Sequence, residues 1–330
     1  MAKLRSMTRL RRALAVAGVT TLIPLHAWAW GCEGHRTVAR IAARHLSTHA
    51  RQQARALLTA NPIDPHLTRF CQPTDPDPFV DAATWADDIR DVQHTGAWHF
   101  LDIPRGATRD QAGAACPKKA GCVTTAIAAQ VKILQSHAPN AQRADALRYV
   151  IHLVGDLHQP LHCSTNDDRG GNCVPVRYFT AAPQLQKDSD GKAITGDYKP
   201  NLHGIWDSSI IATDLKARKI SLPQLAPDLD KQFAAQIPLW MAANIALEDW
   251  AWDSHELAET LAYGKLPRAI PDETDTRPAT CDQANHVAER MLALDLRLAQ
   301  PYQDAAVPVV DEQLTKAGAR LARILNGVWP

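Results

Sequence analysis

Residues 152 to 162 read His-Leu-Val-Gly-Asp-Leu-His-Gln-Pro-Leu-His, and this segment restricts the possible fold more than any other. Apolar spacing predicts a helix over Ala141 to Leu157, ended by Pro160. His152 and Asp156 stand four apart on one face of it, about 5–6 Å between Cβ atoms, close enough to share a cation. Pro160 turns the chain so that His162 can reach back. Asp is rarely buried without a partner, and Asp156 has two oxygens with which to bridge two metals. Imidazole together with carboxylate suits zinc. A single His/Asp pair at this interval is ordinarily a surface ion pair, but the interval recurs at His203 and Asp207. His158 lies outside the spacing and reads as a hydrogen-bonded residue behind the ligands or at the surface.

The rest of the chain is also helical in period. Arg36 to Leu46, Thr48 to Leu58, Thr124 to His137, Ile205 to Leu215, Lys231 to Ala262, Cys281 to Leu298 and Tyr302 to Leu325 each place apolar residues at spacings of three and four. Prolines 62, 65, 73, 76 and 78 fill one loop. Only Val174 to Thr180 has the look of a strand, so a short hairpin is the most β-structure expected. Length alone, at 330 residues, allows one large domain or two small ones. With no repeat, low-complexity tail or linker, the expectation is all-α: a single mainly helical domain over 30–330, in whose C-terminal third no motif is assigned beyond helical packing.

The first 29 residues differ from that domain. Lys3, Arg5, Arg9, Arg11 and Arg12 form a basic head, Ala13 to Leu25 an apolar run, and Ala27-Trp28-Ala29 places small residues where a signal peptidase reads. Residues 1–29 are expected to be a cleaved signal peptide, leaving Trp30 first. The alternative is an uncleaved membrane anchor, for which the run is short and carries Pro24 and His26. Cleavage removes five of 36 basic residues and no acid, leaving 31 against 35, a net charge of −4. A protein that held a polyanion by surface charge alone would be basic. Either the partner is not nucleic acid, or the positive charge comes from bound divalent metals. Seven cysteines in an exported chain suggest disulfides. Nearness in sequence pairs Cys116 with Cys122 and Cys163 with Cys173, leaving Cys32, Cys71 and Cys281 for one more bridge and a free thiol. There is no Cys-x-x-Cys, which argues against a finger-type zinc.

Three tryptophan-led segments supply further candidates. Trp85-Ala-Asp87-Asp88-Ile-Arg90 offers a carboxylate and an arginine, and Trp98-His99-Phe100-Leu-Asp102 an imidazole and a carboxylate. Arg90 and Asp102 are read as working groups rather than ligands: a guanidinium fits the paired oxygens of a phosphate, and a carboxylate can orient water. The structural alternative for Arg90 is an ion pair with Asp87 or Asp88. In Trp30-Gly-Cys-Glu-Gly-His35, a free Trp30 amine and its carbonyl oxygen could chelate a metal that His35 completes. Alternatively, Trp30 is a core aromatic and His35 a satisfied core histidine.

In this order WGCEGH, WADDIR, WHFLD, HLVGDLHQPLH and NLHGIWD resemble the zinc-dependent nuclease and phospholipase C superfamily, most closely the single-strand-specific nucleases of fungi, plants and bacteria. The motifs span Trp30 to Asp207. The resemblance implies an all-α fold with three Zn2+ per chain: one zinc on Asp87, His99, His152 and Asp156, a second on Trp30, His35 and again Asp156, a third on His162, His203 and Asp207. Three zincs add +6 to the chain. It further implies a hydroxide bridging two metals as nucleophile, oriented by Asp102, with Arg90 and the third zinc stabilising phosphoryl charge. Substrates would be single-stranded DNA and RNA and 3′-nucleotides, and products would carry 5′-phosphates. Phe100 takes the position that lines a base pocket in the fungal enzymes, and Asn172 ends the family's Gly-Gly-Asn; Arg169 just before it reads as a solvated arginine. The expected protein is a monomer, periplasmic or secreted, without stable membrane association once the signal is cleaved. Rival readings are a phospholipase C or general phosphoesterase on the same cluster, and a non-catalytic zinc buffer.

Overall fold

The computed structural model describes residues 30–73, 75–271, 281 and 283–330; the expected signal peptide lies outside them. Three helices make the centre: Cys32–His45, Asn140–Leu157 and the C-terminal Gln300–Val328. The middle one is buried continuously from Ala146 to Leu157, so it runs through the protein rather than along its surface. First and last helices meet at small residues. A Cβ on Gly318 would stand 2.5 Å from Ile41 Cγ2, nearer than any real contact, so glycine sets how closely the two backbones approach. Thr48–Ala60 and Val123–Gln135 flank this centre.

The mainly helical class is as expected, and the departures have local causes. The period seen over Lys231 to Ala262 is three helices, Leu222–Gln232, Ile237–Ala242 and Leu247–Leu257, continued by a π-helical turn, Ala258–Tyr263. Pro238, which can only open a helix without losing a bond, restarts the second. The Cys281 to Leu298 expectation becomes a helix, Gln283–Leu292, and a two-residue strand, Arg297–Leu298, parallel to Arg177–Tyr178. This pair is all that remains of the Val174 to Thr180 strand, because Val174 and Val176 bond to Gly171 and Pro200 instead. The antiparallel hairpin lies further on, Gln184–Lys187 with Ala193–Lys199, where polar residues on both faces hid the period of two.

Disulfides join Cys32 to Cys71, Cys116 to Cys122 and Cys173 to Cys281. The expected Cys163–Cys173 bridge is therefore wrong. Cys163 is a buried free thiol whose Sγ faces the Leu157 carbonyl at 3.5 Å, while Cys173 reaches 108 residues along the chain to a partner. No described helix is long and apolar enough to cross a membrane.

Candidate metal centre

The buried helix delivers its last turns into a nest of donors. Asp156, fully buried, is the hub: Oδ1 lies 3.4 Å from His35 Nε2 and 3.7 Å from His162 Nδ1, and Oδ2 lies 3.0 Å from His99 Nδ1 and 3.2 Å from His152 Nε2. Asp87 Oδ1 is 3.6 Å from both His99 and His152. On the far side His162 and His203 stack with ring centroids 5.0 Å apart, and His203 Nε2 stands 3.4 Å from Asp207 Oδ2. Donor atoms converge in three sets: His35, His152 and Asp156; Asp87, His99 and His152; His162, His203 and Asp207. His152 belongs to two by distance, where the resemblance implies one.

These sets fit a cation. His35 Nε2, Asp87 Oδ1, His99 Nε2, both Asp156 oxygens, His162 Nε2 and Asp207 Oδ2 are buried without a hydrogen-bond partner among the described residues, a cost of roughly 1–3 kcal/mol each if nothing else met them. Their spacing is also that of ligands around one ion: bonds of about 2.0–2.1 Å at tetrahedral angles put neighbouring ligand atoms about 3.3 Å apart. Protonation agrees. Burial, then repulsion from His152, lowers His35 to about 4, and burial, then His162, lowers His203 to about 3, leaving both neutral, as metal ligands must be. Burial opposes ionisation of Asp156, yet the His152 charge and the His152, His35 and His99 rings beside it hold it well below the usual carboxylate range. For His152 burial works downward, but Asp156 and Asp87 prevail and raise it to about 9; a dication among these donors would displace that proton.

Local structure explains the aim of each ring. His152, His162 and His203 give Nδ1–H to the carbonyls of Ala83, His99 and Gly170, each at 2.7 Å, which fixes the tautomer and turns Nε2 inward. His35 packs face to face on His152, centroids 3.8 Å apart. That stacking needs Gly155, where a Cβ would come 2.9 Å from His35 Nδ1. Asp207 sits in a π-helical turn, Ile205–Ser209, a widening often found at functional sites. Its Oδ1 accepts 2.7 Å from Gln159 Nε2, while Gln159 Oε1 takes the Leu161 N–H. Even so, burial pushes Asp207 well above its ordinary value.

Trp30 is buried, and the next N–H, of Gly31, donates to the Asp207 carbonyl at 2.7 Å. This stitches the start of the domain to the far side of the nest. Arg90 is three-quarters covered, its Nε 3.8 Å from Asp91 Oδ1, and Asp87, Asp91 and Asp156 are the charges that attract its cation. Asp88 is engaged elsewhere, 2.6 Å from Arg69 Nε, with the Phe70 N–H on its other oxygen. Asp102, partly buried, follows a stretch held by the Leu101 N–H on the His162 carbonyl, and acts electrostatically on Arg169. Phe100, beside His99, is exposed. Asn172 spends its amide N–H on the Arg169 carbonyl. The nest thus gathers His35, Asp87, His99, His152, Asp156, His162, His203 and Asp207, and Phe100 and Asn172 stand outside it.

Sequence reasoning missed the supports. Gln159 and Gly155 lie inside the His152 to His162 segment and carry a signal of their own, the one as a polar residue beside buried donors, the other as the gap a ring needs. His158 is fully buried, giving Nδ1–H to Val154 O and accepting Arg320 at Nε2, 2.9 Å away. Ser254 and Gln313 satisfy the carbonyls of Leu157 and His158, the orphaned C-terminal groups of the central helix. The C-terminal third therefore caps the donor-bearing helix as well as packing on it.

A model of the S1/P1 nuclease family matches residues 30–329. Similar curated proteins include Endonuclease 4 of Arabidopsis thaliana, 25% identical over 97% of this chain and 96% of its own length. Nuclease S1 of Aspergillus oryzae is 25% identical over 96% and 97%, and Nuclease P1 of Penicillium citrinum 25% identical over 91% and 97%.

Proposed function

The chain belongs to the S1/P1 nuclease family, and from that premise we infer that it is a hydrolytic, single-strand-specific endonuclease, dependent on zinc, acting on DNA, RNA and 3′-nucleotides. The observation that carries the reading is the nest: eight buried donor residues with Asp156 as their hub, seven of whose polar atoms lack any hydrogen-bond partner among the described residues.

Three zincs would be held, by Asp87, His99, His152 and Asp156, by Trp30, His35 and Asp156, and by His162, His203 and Asp207. Bound there, zinc supplies Lewis acidity toward phosphoryl oxygens and lowers the pKa of its water to ~7. The chain's own residues do the rest. Arg90 sets a planar fork against two phosphoryl oxygens, and Asp102 accepts a hydrogen bond from the attacking water and fixes its direction. Exposed Phe100 offers a face on which an unpaired base stacks, for about 1–3 kcal/mol with little regard to its identity, and Asn172 borders that pocket. A base inside a duplex cannot leave its neighbours at so small a cost, which is the source of single-strand preference. The charge puzzle resolves as well. Six positive charges against three buried aspartates concentrate attraction for phosphate at the site while the mature chain stays at −4.

The Trp30 ligand requires that residues 1–29 be a signal peptide removed on export. Three disulfides fit the oxidising compartment that export implies, periplasmic or extracellular, and the protein is expected to act as a monomer off the membrane. One experiment tests the whole: zinc per purified chain by mass spectrometry, with turnover of single-stranded DNA, RNA, duplex DNA and phosphatidylcholine. Three zincs and preferred cutting of single strands are expected. Lipid as the clearly better substrate would replace the nuclease by a phospholipase C, and background hydrolysis of everything would leave a zinc buffer.

A further inference from the structure

The loop 166–173 has an improbable backbone. Asp167 and Arg169 are left-handed at φ 54° and 59°, and Gly170 and Gly171 follow at 60° and 82°. Non-glycine residues adopt this region only when their surroundings impose it. What imposes it is a buried carboxylate. Asp168, with no exposed surface, accepts the N–H of Gly171 at 2.9 Å and of Asn166 at 3.3 Å, and its carbonyl takes the Cys173 N–H. The outer arm of the loop is pressed on the turn that carries His162, for a Cβ at Gly170 would meet the Leu161 carbonyl at 2.5 Å. The Gly170 carbonyl is the acceptor for His203 Nδ1. Loop shape therefore decides which nitrogen of His203 faces Asp207.

One more group completes the carboxylate's shell, and it comes from 95 residues away. The Tyr263 hydroxyl lies 3.0 and 3.1 Å from the two Asp168 oxygens. Tyr263 ends the π-helical turn Ala258–Tyr263, its ring under the Arg105 guanidinium at 4.7 Å, which is itself 3.1 Å from Glu259. The same turn gives the Ala262 carbonyl to Tyr302 Oη at 2.7 Å, and Tyr302 accepts Trp206 Nε1 at 2.9 Å. Trp206 is the neighbour of Asp207. A circuit of bonds thus leaves one donor at His203, passes through the C-terminal region, and returns beside another at Asp207.

We propose that Tyr263 and Asp168 are positioning residues for the His162, His203 and Asp207 site. They touch none of its donors and no substrate, and act by holding the 166–173 loop in the shape that orients His203 and places Asn172. The proposal rests on the reading that those three donors hold a zinc. A neutral phenol can donate to this carboxylate, and burial followed by the Asp168 charge keeps Tyr263 well above its ordinary value and so protonated.

The test is Tyr263→Phe, which keeps the ring and the stacked guanidinium and removes only the hydroxyl, with Asp168→Asn as a second variant. Wild type and variants are loaded with zinc, challenged with a graded chelator, and assayed for zinc per chain, for kcat and KM on a single-stranded oligonucleotide, and for melting of the metal-free protein. One of the three zincs should leave the variants at roughly 10- to 100-fold lower chelator strength, with kcat/KM falling alongside and melting of the metal-free Tyr263→Phe protein close to wild type. A purely structural role would lower the metal-free melting temperature and leave zinc retention as in wild type, and that outcome overturns the proposal. A third zinc held equally by wild type and variants overturns the positioning pair alone, whereas a wild type that never holds a third zinc sinks the site reading and the pair together.

Discussion

His152 and His158 lie six residues apart on one helix and its exit, both fully buried, and their surroundings are opposite. His158 has each ring nitrogen occupied, by Val154 O and by Arg320, and Arg320 is stacked 4.6 Å over Trp250 and 3.6 Å from Asp253. His152 has one nitrogen on a carbonyl and turns the other to two carboxylates and a second imidazole, His99 Nδ1 at 3.1 Å. A histidine whose needs are met inside the protein stabilises it. One whose inward nitrogen shares space with other donors, several of them orphaned, leaves room for something else to complete it. Burial does not separate a structural histidine from a functional one; the inventory of its partners does.

The largest effect that sharpens this contrast is Asp156→Ala. Both oxygens of Asp156 face histidines of two different sets, so the variant should lose two zincs at once. Each metal's charge stabilisation is worth several kcal/mol, and a tenfold in rate corresponds to 1.36 kcal/mol, so hydrolysis of single-stranded DNA should fall by roughly a thousandfold or more. Metal analysis showing one zinc lost and two kept would reject Asp156 as a shared ligand.

His158→Ala is the complementary experiment, with an intermediate effect of a different kind. It opens a cavity beside Trp250 and strips a partner from Arg320, whose guanidinium is buried, for about 2–4 kcal/mol of stability. Zinc content and kcat should be those of wild type. If the variant instead sheds metal while its metal-free form melts normally, His158 belongs to the nest and a filled set of partners does not mark a structural histidine.

Which parts of this arrangement the sequence reveals follows from the same distinction. The donors were legible because a cation needs His and Asp, residue types that stand out, at a spacing that helices impose; the structure places eight of them together. The acceptors behind the rings, Ala83, His99 and Gly170, act through backbone carbonyls, which every residue has, so no side-chain identity marks them. Tyr263 and Gln313 were hidden by distance along the chain. The same distance defeated the Cys163–Cys173 pairing, since proximity in sequence favours a local bridge while the fold brings Cys281 to Cys173. The hairpin escaped because neither face is buried enough to impose a period of two. Trp30 is a case apart: its buried side chain suits the core-aromatic alternative, and its amine is a ligand only if a covalent bond ahead of it is cut.

The smallest predicted effect extends the contrast from histidines to carboxylates. Asp156 is held ionised by its histidines, whereas Asp311, also buried, has only Arg218 at 3.6 Å and a like charge in Asp214. Burial, then Asp214, pushes the Asp311 carboxyl up to about 6. A folded-state value above the unfolded one means that the folded protein binds this proton more tightly. The resulting stability is fully present below the unfolded value, about 3.9, and is lost as pH rises through 6. Asp311→Asn, which cannot ionise, should therefore match wild type near pH 4 and exceed it by about 2–3 kcal/mol at pH 8, the size that a rise from about 3.9 to about 6 implies. The attraction of Arg218 for the ionised carboxylate is already contained in that rise. Denaturant melts at the two pH values would decide it: a difference that stays constant from pH 4 to 8 would mean Asp311 is ionised throughout, held by Arg218 as Asp156 is held by its histidines.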